Sequence, residues 1–173
     1  MNTRTFWEYM TKTANSERYF IAIPTSFGGP EHMTIKFLGN LTQAQVNKVK
    51  IKLDQLASVE KVPLVSGGVG VLGRKSTFIV DFVADKDIRL QSIFKPFNKS
   101  MKNIVPHVTA FKIKPKDTNT VNTGAITPMS SVLAEKIVLY KTSKPYKYIP
   151  VHEVYLKKRT PWNWIKDRFA NWL

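Results

Sequence analysis

Two short segments of this chain, HMTIKFLG at residues 32–39 and PHVTAFK at 106–112, alternate polar and apolar side chains as β-strands do. Each opens its polar row with His-x-Thr. Residues two apart in a strand share a face, so His32 shares one with Thr34 and Lys36, and Met33, Ile35 and Phe37 form the expected buried row. His107 likewise shares a face with Thr109. The chain has only three histidines in 173 residues, and two of them stand in this setting. A fold that sets the two strands side by side gathers His32, Thr34, His107 and Thr109 round one small pocket. That requirement narrows the possible topologies more than any other feature of the sequence.

The chemistry of such a pocket follows from the groups in it. Imidazoles titrate near neutrality, so one can be neutral and accept a proton while the other is charged and supplies one. Threonine hydroxyls can donate hydrogen bonds to phosphate oxygens as charge shifts onto them. The set suits phosphodiester cleavage, and the scheme calls for neither metal nor cofactor. A zinc site is the rival reading. It needs a third ligand from His152 or a carboxylate, and no acidic residue stands at a recognisable ligand spacing from either motif. One His-x-Thr alone would be read as structural; two in matching strands argue for a site. His152, in VHEVYL, lacks such company and is read as structural.

Around the motifs the sequence reads as α+β. RYFIAIP (18–24) is a strand that a short Gly-Gly-Pro loop connects to the first motif. A helix is expected over 42–57, opened by a Thr42–Gln45 capping box, with Val46, Val49, Leu53 and Leu56 on its apolar face. Strands are expected at 62–73 and 76–84, where Gly67, Gly68 and Gly70 mark a bulge or a close approach. A second helix starts near Asp85 or Asp87 and carries Leu90, Ile93, Phe94, Phe97 and Met101 on one face, with Pro96 breaking or kinking it. After the second motif and a polar loop, AEKIVLYKTSK and YIPVHEVYLKK form a hairpin about KPYK.

The chain is the size of one domain. Residues 1–157 are read as that domain and 158–173 as a cationic, Trp-rich tail. In the tail Trp162, Ile165, Phe169 and Trp172 form one helical stripe. The stripe fits a membrane surface or a protein partner, and equally a helix packed back on its own domain. The 27 Lys+Arg against 12 Asp+Glu leave a formal charge of +15, which favours a polyanionic ligand such as a nucleotide or nucleic acid. Cysteine is absent, which excludes disulfides, thiol catalysis and cysteine-based zinc sites. No apolar run approaches a membrane span, and the first residues lack the apolar core of a signal peptide, so a cytoplasmic location is expected.

HMTIKFLG and PHVTAFK resemble the paired motifs of the 2H phosphoesterase superfamily, including the Phe-Leu-Gly that ends the first strand and the Pro before the second histidine. RYFIAIP is similar to that family's opening strand, and KIVLYKTSKPYKYIPVHEVYLKK to its closing hairpin, so the resemblance runs over about 18–157. It implies a bilobal fold of two pseudo-symmetric antiparallel-sheet halves, with flanking helices, about a central cleft. It also implies metal-independent phosphodiester chemistry, with His32 and His107 as acid and base and Thr34 and Thr109 as phosphate-binding hydroxyls. Which histidine is the base depends on the direction of reaction. A basic residue often follows the second motif at the position of Lys112.

The short connection before the first motif departs from the bacterial RNA-type members, which usually insert a helix there. The compact plan is most similar to phage anti-CBASS nucleases, which destroy cyclic di- and trinucleotide signals in the host cytoplasm. The resemblance then implies attack by a ribose 2′-hydroxyl on a 3′–5′ bond. Such a substrate needs aromatic surfaces for its bases and cations for its phosphates. Trp7, Tyr9 and Phe27 are the candidates for stacking, and Lys36, Arg74 and Lys112 for charge. Two other readings stand: a 2′,3′-cyclic phosphodiesterase acting on RNA ends, and a non-catalytic RNA- or nucleotide-binding protein. The intact His and Thr set argues against the last.

Overall fold

A computed structural model describes residues 17–25, 32–73, 77–84, 86–100, 102, 104–113, 122–125, 131–143 and 147–158. Strands β1 (Arg18–Pro24) and β2 (His32–Gly39) come first, followed by helix α1 (Gln43–Asp54). Then come β3 (Val62–Leu64), β4 (Ser66–Leu72), β5 (Thr77–Val83) and helix α2 (Ile88–Phe94). Strands β6 (His107–Ile113), β7 (Val132–Ala134), β8 (Lys136–Ser143) and β9 (Lys147–Tyr155) complete the order.

Seven strands form one sheet in the order β4-β5-β6-β2-β1-β8-β9, and β3 pairs with β7 apart from it. Every pairing between these strands is antiparallel. The architecture is the expected α+β one, with a difference at its centre. The two halves, β4-β5-β6 and β2-β1-β8-β9, are joined into one sheet by the motif strands themselves, through the pair Met33–Val108.

One face of the large sheet carries the core. Ile21, Ile23, Met33, Ile35, Val108, Ile137 and Leu139 pack there against Val46 and Leu53 of α1 and Leu90, Ile93 and Phe94 of α2. Val62, Leu64 and Ala134 of the small sheet join the same cluster. The core thus takes side chains from both halves, and the opposite face carries the polar rows together with buried Phe20, Ala22, Val80 and Val138.

Local chemistry sets the element ends. Thr42 caps α1 in a full capping box, its hydroxyl accepting from the Gln45 N–H while the Gln45 side chain accepts from the Thr42 N–H. The helix tightens into a 3₁₀ turn over Gln55–Ser58. Asp87 caps α2, which ends in a 3₁₀ turn at Lys95–Phe97 holding Pro96. The segment 62–73 is two strands, not one. Val65 breaks it, its carbonyl accepting from the Ala84 N–H, so that β3 can leave for β7 while β4 pairs with β5. Pro150 is tolerated in β9 because that strand is an edge.

Asp87 does double duty at the start of α2. Its carboxylate accepts from the Arg89 N–H and holds the Arg89 guanidinium, whose Nη1 also reaches the Lys61 carbonyl. The hydrogen bond from the Arg89 side chain holds the Asp87 carboxyl below its ordinary value. A depressed carboxyl stabilises the fold above its unfolded pKa of about 3.9, and that stability is lost as pH falls through the lower folded value. Asp87→Ala should cost about 1 kcal/mol near neutral pH, as loss of an N-cap does. In urea unfolding the deficit relative to the parent should shrink below about pH 4. An unchanged deficit at low pH would show that the charge plays no part.

Candidate active site

The face opposite the core is assembled by strand register. Met33 and Val108 are both buried in the core and pair with each other. Continuing that antiparallel ladder by one residue each way sets His32 across from Thr109 and Thr34 across from His107, all on the other face. The flanking strands agree: Pro24 and Ala22 pair with His32 and Thr34, and Phe82 and Val80 pair with His107 and Thr109. The structure therefore brings the four motif residues into one group at the seam between the halves. His32, Thr34 and His107 are half-buried, and Thr109 is exposed.

The His107 ring is oriented by its own strand entry. Its Nδ1 lies 2.7 Å from the Val105 carbonyl oxygen. A carbonyl can only accept, so Nδ1 carries the proton and Nε2 is the nitrogen left to face a substrate. The His32 ring is held among aromatic rings. Phe20 lies 5.0 Å away between centroids, and Tyr148 meets it edge to face at 5.2 Å. Tyr140 stacks on Phe20 at 5.2 Å and lies 6.4 Å from His32. Burial raises the Tyr140 phenol above its ordinary value, which keeps it protonated and a hydrogen-bond donor. Beside it, the Lys136 ammonium sits 2.9 and 3.0 Å from the two Glu153 oxygens and balances that carboxylate.

Two features of β2 differ from simple alternation. Register shifts lie between Ile21 and Ala22 and between Tyr19 and Phe20 on the partner strand. Ile35 and Lys36 consequently stand together against Ile21, as two residues oppose one in a bulge. Lys36 therefore leaves the row of His32 and Thr34, contrary to the sequence expectation. Phe37 leaves the buried row in turn: it pairs with Phe20, its ring lies 6.0 Å from that of Phe20, and it is 73% exposed. The sequence expectation for Phe37 fails because the bulge inverts the phase of the strand.

Of the other residues singled out in the sequence, Trp7, Tyr9, Phe27 and Arg74 lie outside the described residues, as does the tail beyond 158. The backbone of Lys112 is described, in β6 opposite Phe78, but not its side chain. His152 lies away from the motif residues, with Nε2 2.7 Å from Asp54 Oδ1 of α1. Among the described residues no group of three His, Cys, Asp or Glu is placed to hold a metal ion. No helix of the described residues is long and apolar enough to cross a membrane.

Sequence reasoning missed the ring cluster of Phe20, Phe37, Tyr140 and Tyr148. Part of it was legible, since period-two alternation from Ile21 and Ile23 turns Phe20 away from the core, and Leu139 does the same for Tyr140. Phe82, opposite His107, was missed as well. Its ring occupies the space above Gly70, where a Cβ would meet Phe82 Cε2 at 2.6 Å.

No family model matches the chain, and no curated protein matches it. Its fold does match solved structures. E. coli LigT complexed with 3′-AMP superposes with a TM-score of 0.63 at 15% identity, covering 82% of this chain and 98% of that one. A crystal structure of a phosphoesterase gives 0.62 at 14% identity, over 82% and 99%. A protein of Thermus thermophilus gives 0.57 at 14% identity, over 83% and 100%. The chain has a LigT-like fold.

The Gly70–Phe82 contact is itself open to test. Gly70→Ala should destabilise the protein by about 1–3 kcal/mol, the range for overpacking, because the ring must move. Adding Phe82→Ala should remove most of that increment in a double-mutant cycle by urea unfolding. Additive effects would mean that the ring does not lie over Gly70.

Proposed function

We propose that the protein is a two-histidine phosphodiesterase acting on nucleotide substrates. The observation that carries this reading is the seam itself. Two His-x-Thr rows, far apart in the chain, are set in neighbouring antiparallel strands on the sheet face opposite the helices. One imidazole takes the proton of the attacking ribose 2′-hydroxyl, the phosphorus–O5′ bond breaks, and the other imidazole protonates the departing 5′ oxygen. The product is a 2′,3′-cyclic phosphate and a free 5′-hydroxyl. Thr34 and Thr109 donate to the non-bridging oxygens as their charge grows. The fixed Nδ1 proton leaves Nε2 of His107 for one of the two proton transfers.

The substrate we favour is the 3′–5′ bond of a cyclic di- or trinucleotide signal, whose destruction would counter host CBASS antiphage immunity. Supporting it are the short connection between β1 and β2 and the charge of +15. The likeness in fold to LigT, which has been crystallised with 3′-AMP and ATP, favours a nucleotide in any case. It also supports the second reading, a 2′,3′-cyclic phosphodiesterase acting on RNA ends.

The test is turnover in EDTA of 3′,3′ cyclic dinucleotides, a cyclic trinucleotide and an RNA oligomer ending in a 2′,3′-cyclic phosphate. Cleavage of the cyclic oligonucleotides is the expected result, while opening of the RNA end alone would establish the second reading. His32→Ala and His107→Ala should each lower kcat by about 10²–10⁴-fold, the usual contribution of a general acid or base. Both should still bind the nucleotide. Near-normal rates in either variant would overturn the mechanism. The rate should also describe a bell across about pH 5–8, falling on the acid side as the base gains its proton and on the alkaline side as the acid loses its own.

A further inference from the structure

The ring cluster beside His32 is larger than is needed to hold one imidazole. Phe20 is its floor, 2% exposed and in ring contact with His32, Phe37, Tyr140 and Tyr148. The rings above it reach the surface, and Phe37 is the most open of them at 73%. An exposed phenylalanine is unremarkable alone. This one is turned out by a register shift, two ring steps of 5.0 and 6.0 Å from His32, in a chain carrying +15 charge. Unshifted, the strand would have buried it beside Met33 and Ile35.

We propose that Phe37 is the outer stacking platform of a nucleobase subsite running from His32 across Phe20. A base has an apolar face that an exposed phenyl ring can cover, and it arrives on a polyanion that the net charge attracts. The proposal assigns to it the base of a nucleoside further along the strand than the one at the scissile phosphate. The substrate is then an oligonucleotide, linear or cyclic, and not a mononucleotide. The proposal rests on the phosphodiesterase reading for its turnover test, but its binding test is independent of that reading.

Phe37→Ala and Phe37→Trp separate the possibilities, and the exposure of the residue means that neither should disturb folding. The ratio of kcat/KM on triadenylate to kcat/KM on adenosine 2′,3′-cyclic phosphate should fall about tenfold or more in Phe37→Ala, as loss of one base stack would cause. Phe37→Trp should restore it. Equal losses on both substrates, or none, would overturn the proposal. Fluorescence anisotropy with labelled triadenylate reads the same subsite without turnover, and there Phe37→Ala should weaken binding by a similar factor. Should the parent protein turn over neither of these two substrates, the anisotropy result alone decides the subsite. Unchanged anisotropy would then sink it.

Discussion

The pairing of Met33 with Val108 is the contact on which the rest of the site depends. It is the joint between the two halves of the sheet, and it lies one residue from each of the four motif side chains. Both partners are anchored in the core, which holds the register against slippage. A slip of one residue would turn a motif row into the hydrophobic interior. The apolar residues between the polar ones are therefore as much a part of the site as the histidines. They decide which face His32 and His107 share, and the helices on the far side keep that face uncovered by the core.

The short-range features were largely readable because they depend on neighbours in sequence. The capping box at Thr42, the broken helix at Pro96 and the His-x-Thr rows all follow from local spacing. The failures are non-local. Residues 62–73 have the composition of one strand, and only the distant segment Val132–Ala134 draws the first three into a separate ladder. The alternation of β2 looks regular as far as Phe37, yet its partner β1 imposes shifts that no window of β2 alone contains. The aromatic cluster draws on β1, β2, β8 and β9, so no single stretch of sequence displays it.

Charge is arranged with similar economy. Glu135 is held below its usual range by the hydrogen bond from Lys61, and Glu17 and Glu153 raise Lys141 and Lys136 above theirs. These pairs are exposed, so their worth to stability is small. On the proposed nucleotide reading, one of them also bears on the ligand. Glu153 lies beside Tyr140, and an unbalanced carboxylate there would repel a phosphate chain. Lys136 balances that charge at the edge of the ring cluster.

The position of the shifts within β2 answers to two demands on the strand. His32 and Thr34 need an undisturbed strand, since their common face depends on strict alternation over three residues. Met33 and Ile35 need the same strand to fill the core. A ring placed further along could be brought to the face of His32 only by breaking phase after Thr34, and the first shift falls there, with Ile35 and Lys36 doubled against Ile21. A second shift doubles Leu38 and Gly39 against Tyr19, and both Leu38 and Tyr19 return to the core side. Phe37 is thus turned outward between two anchored stretches. A bulge of this kind leaves ladder hydrogen bonds unmade, and here it forgoes burial of a phenyl group worth about 1.5–3 kcal/mol. The sequence retains it without moving either motif residue, which is what a strand must do if one end of it performs chemistry and the other end receives a base.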